Sequence, residues 1–217
     1  MLAVVTGAAS GLGRGLVERL RERGDDVVAI DVDEAVHELG VRSFVCDVAD
    51  PVAVMRVADE IGRIEILFNN AGIVHAEPAR VVAVNLVGVL NGVAAFLPAM
   101  RERARGRIVN TASLLGVLPS ARRAVYGASK AGVIAYSLAL RDELAGSGVG
   151  VSIVLPHVRS AIELAEPDGP EAAYVAMGAD PLEAAADVLT GVDAGELWIV
   201  AGADPEPVLA QVRHFWP

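Results

Sequence analysis

A tyrosine and a lysine four residues apart, in Tyr126-Gly-Ala-Ser-Lys130, are the side chains of this sequence that most directly offer chemistry. On a helix that spacing puts both on one face, a turn from each other. The apolar, helix-compatible run from Ala131 to Leu140 gives the pair a rigid element to project from. An ammonium beside a phenol favours the phenolate and draws the tyrosine pKa towards working pH, where a proton donor and acceptor is most useful. Taken alone, the same spacing is also that of an ordinary helix pair, so its meaning depends on what precedes it in the chain.

The chain begins with a strand-like apolar run, Leu2 to Thr6, that enters Gly7-x-x-x-Gly11-x-Gly13 and then a helical pattern from about Leu12 to Arg23. Glycines let the backbone approach a pyrophosphate, and the free amides of a helix start present partial positive charge, so Gly7, Ser10, Gly11, Leu12 and Gly13 are candidate phosphate contacts. The spacing is looser than G-x-G-x-x-G, and a plain glycine-rich loop is the alternative. A second strand, Val27 to Ile30, closes on Asp31. An acid at that tip accepts from both adenosine ribose hydroxyls and repels a 2′-phosphate. Neither Ser10 nor Val32 supplies a cation for such a phosphate, which favours NAD over NADP. Otherwise Asp31 merely starts a turn.

The elements that must position these residues follow in order. Ser43 to Cys46 reads as strand three, leading into Asp47 and Val48. Asp47 either accepts from an adenine amino group, with Val48 packed on the ring, or belongs only to a loop and helix start. A helix from Pro51 to Ile61 precedes strand four, Glu65 to Phe68, which runs into Asn69-Asn70-Ala71-Gly72. Small residues there permit close approach to a ligand, and the asparagines can equally tie strands together. Glu77 to Ala104 reads mainly as helix and contains Asn85, a polar residue that needs partners in an apolar setting. Its uncharged part, 81–100, is long enough to cross a bilayer, but Asn85, Asn91, two glycines and Pro98 interrupt it, so a buried helix is expected. Arg107 to Asn110 forms strand five, leading to Ser113, and Gly148 to Leu155 holds strand six, ending at Pro156 and His157. The stretch 157–180 has no sustained period and reads as a loop or lid. A short helix from Pro181 to Leu189 and a strand from Glu196 to Val200 complete the pattern. Alternating strands and helices predict an α/β fold: one domain over 1–217, with a doubly wound, parallel, seven-stranded, Rossmann-type sheet flanked by helices. Ligands of such sheets bind beyond the carboxyl ends of the strands, where every candidate residue falls.

Composition narrows the function classes. The 53% hydrophobic content, poor in aromatics, suits a buried parallel sheet. A net charge of −10 argues against a nucleic-acid partner. The single cysteine, Cys46, makes no internal disulfide, and no Cys/His cluster has metal-ligand spacing, so no metal is expected and a reducing, cytoplasmic setting is. The N-terminal residues lack the basic region of a signal peptide.

Together these residues resemble the short-chain dehydrogenase/reductase family over nearly the whole chain. The resemblance rests on Thr6-Gly7-x-x-x-Gly11-x-Gly13, Asp31, Asp47-Val48, Asn69-Asn70-Ala71-Gly72, Asn85, Ser113 and Tyr126-x-x-x-Lys130, with Ser113 thirteen residues before Tyr126. It implies an NAD(H)-dependent oxidoreductase interconverting a secondary alcohol and a ketone. In that scheme Tyr126 is the acid/base, and Lys130 lowers its pKa and holds the nicotinamide ribose. Ser113 hydrogen-bonds the substrate oxygen, and Asn85 anchors a water of the proton relay. Asn70, Ala71, Gly72 and Pro156 complete the cofactor contacts, and the family implies a homodimer or homotetramer.

Some features depart from the family pattern. His157 follows Pro156 where glycine is usual, with Ser160 the candidate for a nearby threonine, and the chain is short over 50–65 and 73–85. These departures motivate the alternative of a non-catalytic dinucleotide-binding or sensing protein. A third option is dehydration, epimerisation or imine reduction in the same site. Substrate contacts are expected from 114–124, the 157–180 lid and the residues after Gly72. These are mostly apolar, with His75, Arg122 and Arg123 as polar contacts, which points to a hydrophobic or cyclic small molecule. The arginines read more readily as solvated surface than as an anion site.

Overall fold

The computed structural model of the chain describes all residues except His75, Pro119, Arg122, 159–177 and Pro217. Seven strands pair in parallel into one sheet: β1 (Leu2–Thr6), β2 (Asp26–Asp31), β3 (Arg42–Val45), β4 (Ile66–Asn69), β5 (Gly106–Thr111), β6 (Val149–Pro156) and β7 (Trp198–Ala201). Their order is β3-β2-β1-β4-β5-β6-β7, the doubly wound arrangement expected. The order reverses between β1 and β4, and a crevice opens there beyond the strand ends.

Strand alternation builds two apolar layers. Ala3 and Val5 of β1, Val27 and Ala29 of β2, and Ile66 and Phe68 of β4 point to one face. There they meet Leu16 and Leu20 of helix α1 (Gly11–Glu22) and Val188 and Val192 of helix α6 (Pro181–Ala194). Val4, Val28 and Leu67 point the other way. They pack on helices α2 (Pro51–Ile61), α4 (Gly88–Glu102) and α5 (Ala124–Glu143) through Val54, Ile61, Phe96, Met100 and Leu140. Both sheet faces are thus covered, which is why the strands read as continuous apolar runs. The first layer is tight: a Cβ on Gly15 of α1 would lie 2.6 Å from the Pro181 carbonyl oxygen of α6. A C-terminal helix, α7 (Pro205–Phe215), puts Val212 into a third cluster with Val133, Ile153 and Leu155.

The expected elements are present with shifted edges. β3 ends at Val45, so Cys46 lies outside it, and α6 runs to Ala194 rather than Leu189 because Asp180 caps its start and Gly195 takes the left-handed conformation that ends it. Glu34–Leu39, a 3-10 turn, and α7, which fully buries only Val212, are not among the expected elements. The long helix is composite. α3 (Pro78–Val82) passes through one π-helical turn, Ala83–Val87, into α4. Pro78–Glu102 is long and apolar enough to cross a membrane by length and composition. Its buried Val93, Phe96 and Met100 belong to the apolar layer under β1 and β4. The expected lid lies, over 159–177, outside the described residues, as do Ser160, His75 and Arg122. The chain on either side of that segment converges, since Val158 pairs with Ala179.

Candidate active site

The glycine turn owes its shape to two close approaches and one open position. Gly7 has φ +66°, and a Cβ there would sit 2.7 Å from Ala71 Cα. A Cβ on Gly13 would sit 2.0 Å from the Gly7 carbonyl oxygen, inside van der Waals contact. Gly11 has φ +50° with no atom within 4 Å of its would-be Cβ, so the turn leaves open space on its outer side. The start of α1 carries neither a side-chain cap nor an acidic residue in its first turn. Its amides therefore keep their partial positive charge.

The turn is pinned from both sides. Asp31 Oδ2 accepts from Ala9 N at 2.8 Å, and its Oδ1 accepts from Asp33 N at 3.0 Å. Each oxygen keeps a lone pair for a further donor. Thr6 Oγ1 donates to Phe68 O and accepts from the main-chain nitrogens of Asn70 and Ala71. Asn70 Nδ2 donates to the carbonyls of Thr6 and Gly7, and its Oδ1 accepts from Thr111 Oγ1. Asn69 ties strands, as one reading of the sequence had it. Its Nδ2 donates to Asn110 Oδ1 at 2.9 Å, and Asn110 Nδ2 donates to Ser137 Oγ at 2.9 Å.

At the other end, Lys130 is 3% exposed and its Nζ donates to Thr111 O at 2.8 Å. Its Nζ lies 5.9 Å from the centroid of the Tyr126 ring. Burial, which penalises the ammonium, pushes its pKa down to about 8. Ser113 caps the 3-10 turn Leu114–Gly116, its Oγ accepting from Leu115 N at 3.2 Å. Asn85 is fully buried in the π-helical turn. Its Oδ1 accepts from Ile73 N at 2.8 Å, and its Nδ2 donates to Ile73 O at 2.9 Å and Ser129 Oγ at 3.1 Å. Ser129 Oγ in turn donates to Tyr126 O at 2.7 Å. Both amide protons of Asn85 are spent inside the protein.

One cleft of about 660 Å³ joins these groups across the carboxyl ends of the strands. Its wall includes Gly7, Ser10, Gly11, Leu12, Asp31, Asp47, Val48, Asn70, Ala71, Gly72, Ser113, Tyr126, Lys130 and Pro156. Of the described catalytic and cofactor candidates, Gly13 and Asn85 stand behind the surface, the first under the turn and the second against Ile73. His157 and Arg123 also line the cleft, and His157 N donates to Ala201 O at 2.8 Å. Sequence reasoning missed Arg80, which reaches the cleft and pairs with Asp47 at 2.8 Å. Beside it the Asp47 carboxyl is held below its usual range; burial opposes this, but the Arg80 guanidinium and the Ala49 amide outweigh it. No local motif marked Arg80, since its partner lies thirty-three residues earlier.

A doubly wound parallel sheet with a glycine turn at its switch point and a Ser, Tyr and Lys set on the same cleft defines a class of dinucleotide-dependent oxidoreductase folds. The chain belongs to the short chain dehydrogenase family, whose model matches residues 1–167. It is similar to an uncharacterised short-chain type dehydrogenase/reductase of Sinorhizobium fredii, 40% identical over 179 residues. That match takes in 72% of this chain but 32% of the relative, so the chain spans about a third of that protein's length. It is also similar to the D-threitol dehydrogenase of Mycolicibacterium smegmatis, 35% identical over 72% of this chain and 69% of that protein. Among solved structures, a Burkholderia phymatum short chain dehydrogenase/reductase in complex with NAD superposes with a TM-score of 0.84. It is 30% identical over 98% of this chain and 91% of that one. A Burkholderia cenocepacia short chain dehydrogenase in complex with NADP gives 0.85, at 30% identity over 98% and 92%.

Proposed function

We propose that the chain is an NAD(H)-dependent oxidoreductase that interconverts a secondary alcohol and a ketone. The observation that carries the reading is the buried Lys130 ammonium beside the Tyr126 ring, on the same cleft as the open glycine turn. The residues present fit a nicotinamide dinucleotide. The space outside Gly11 and the uncapped start of α1 suit a pyrophosphate, and Asp31 keeps lone pairs for ribose hydroxyls. Such a cofactor, when bound, supplies or takes up the hydride. Tyr126 gives its hydroxyl proton to the substrate oxygen, or takes the proton back, and the Lys130 charge favours the phenolate. Ser113 Oγ donates to the same oxygen and stabilises charge developing there. Asn85 is read as the residue that anchors a water of the proton relay, its side chain held by Ile73 and Ser129.

NAD rather than NADP follows from Asp31, whose charge opposes a 2′-phosphate and whose neighbour Val32 is uncharged. Both cofactors occur in the complexes of similar solved proteins. The substrate is a small hydrophobic or cyclic alcohol, held against Leu114, Leu115 and Leu118 of the cleft. The protein is read as cytoplasmic and as a homodimer or homotetramer, in keeping with its lone cysteine and with the exposed Val82 and Val87 on the long helix. Sedimentation equilibrium checks the assembly.

The test of the chemistry is an NAD+/NADH-coupled screen of alcohols and ketones, followed by Tyr126→Phe. The variant should lose about 100- to 10,000-fold in turnover while binding NADH nearly as before. Retained activity would show that the phenol does not move the proton. Asp31→Ala should shift preference towards NADP, and equal use of both cofactors by the unaltered protein would refute the ribose argument.

A further inference from the structure

One face of the composite helix carries Arg80, Val84, Gly88 and Asn91 at near-helical spacing, and all four meet the corner where β3 turns into α2 or line the cleft beside it. Asn91 Nδ2 donates to Val48 O at 2.8 Å. Gly88 leaves room for the Val48 side chain, whose Cγ2 lies 2.7 Å from where a Cβ would be. Val84 lines the cleft with Val48. Arg80, at the cleft end of that face, holds Asp47 Oδ2 at 2.8 Å. Asp47 Oδ1 accepts from Ala49 N at 2.9 Å. The carboxylate is therefore fixed from two sides while both it and the guanidinium remain more than one-third exposed. Cys46 N donates to Asp31 O at 2.7 Å, which sets this corner next to the acid read as the ribose contact.

Resting on the cofactor reading above, we propose that Arg80 is a positioning residue for base selection: it orients the Asp47 carboxylate so that its free lone pairs accept from the 6-amino group of adenine. An ionised carboxylate only accepts hydrogen bonds. It therefore rewards a purine with a 6-amino donor and penalises one with a 6-oxo acceptor, because two facing acceptors leave both unsatisfied. The exposed ion pair adds little attraction of its own, so its role is geometric. Burial pushes the Asp47 carboxyl up, but the Arg80 guanidinium and the Ala49 amide together hold it below its usual range, so it remains an acceptor near neutrality.

The experiment compares binding of NAD+ and nicotinamide hypoxanthine dinucleotide, which differ at purine position 6, by calorimetry on the full chain. The unaltered protein should prefer NAD+ by at least fivefold. Arg80→Met, which keeps the apolar stem, should reduce that preference below twofold, mainly by weakening NAD+. Arg80→Lys should recover part of it, since a flexible ammonium can reach Asp47 Oδ2 but fixes its direction less well than the planar guanidinium. A merely structural arginine would weaken both dinucleotides equally and leave their ratio intact, which would overturn the inference. So would an unaltered protein that binds both ligands without preference. Failure of the unaltered protein to bind either ligand would instead strike the cofactor reading, and this inference would fall with it.

Discussion

Lys130 shows how one residue is held at a cost the rest of the chain must carry. Its ammonium is buried with the Thr111 carbonyl as its hydrogen-bond acceptor, and desolvation draws its pKa from 10.5 to about 8. The folded state therefore releases this proton more readily than the unfolded chain. From pH 8 to 10.5 the unfolded chain holds more protons, so stability contributed by this group rises with pH across that window. Below pH 8 the folded protein bears the full cost of the buried charge, about 3 kcal/mol. Lys130→Met removes the titration. Urea unfolding at pH 7.5 and pH 10 should show the unaltered protein gaining about 2 to 3 kcal/mol relative to the variant as pH rises. A difference that stays flat would mean that the lysine is solvated or paired in solution. At the glycine turn, Gly13→Ala places a methyl against the Gly7 carbonyl, a backbone atom that cannot swing away. Binding of NADH to that variant should weaken at least about tenfold, which fluorescence titration reads directly.

At the scale of elements, side-chain hydrogen bonds set where helices sit on the sheet. Asn69, Asn110 and Ser137 form a buried chain from β4 through β5 to α5, and Ser137 Oγ ends it on Val133 O. α4 approaches the same chain closely, since a Cβ on Gly92 would lie 2.2 Å from Asn69 Oδ1. Gly92→Ala should therefore cost about 1–3 kcal/mol through overpacking, offset by no more than about 1 kcal/mol of gained helix propensity. Urea denaturation measures the balance, and a stabilised variant would mean that α4 moves freely outward. The π-helical turn belongs to this scale too. It lets Asn85 face both Ile73 and Ser129, and through Ser129 it ties the first turn of α5 to the loop after β4. The sequence marks Asn85 as a polar residue needing partners but names none of them, because they lie twelve and forty-four residues away.

Over the whole molecule, the sheet order places β1, β4 and β5 between paired neighbours and leaves β3 and β7 with one neighbour each. Hydrogen exchange should therefore be slowest in β1, β4 and β5 and faster in β3 and β7, as mass spectrometry of peptides would record. Equal protection across the sheet would mean that its edges are covered by another copy of the chain. The α/β reading, the parallel sheet and the cleft at the strand ends were legible in the sequence, because two-sided burial leaves uninterrupted apolar runs between helical segments. The edges of β3 and α6, the 3-10 turn and α7 were not: the Asp180 cap and the left-handed Gly195 bound α6, and α7 fully buries only Val212.

The sequence by itself determined which groups this protein has for chemistry and roughly where the chain carries them. Tyr126 and Lys130 share a helix face through their spacing, and the glycines of 7–13 announce a tight turn before a helix; both are local properties of the backbone. Tertiary structure alone decided what those groups have as neighbours. It buried Lys130 against Thr111, spent the Asn85 amide on Ile73 and Ser129, and joined Arg80 to Asp47 across two elements. Partners so distant in sequence meet only when the sheet has assembled. Burial and hydrogen-bond satisfaction, which set pKa and orientation, are properties of that assembly.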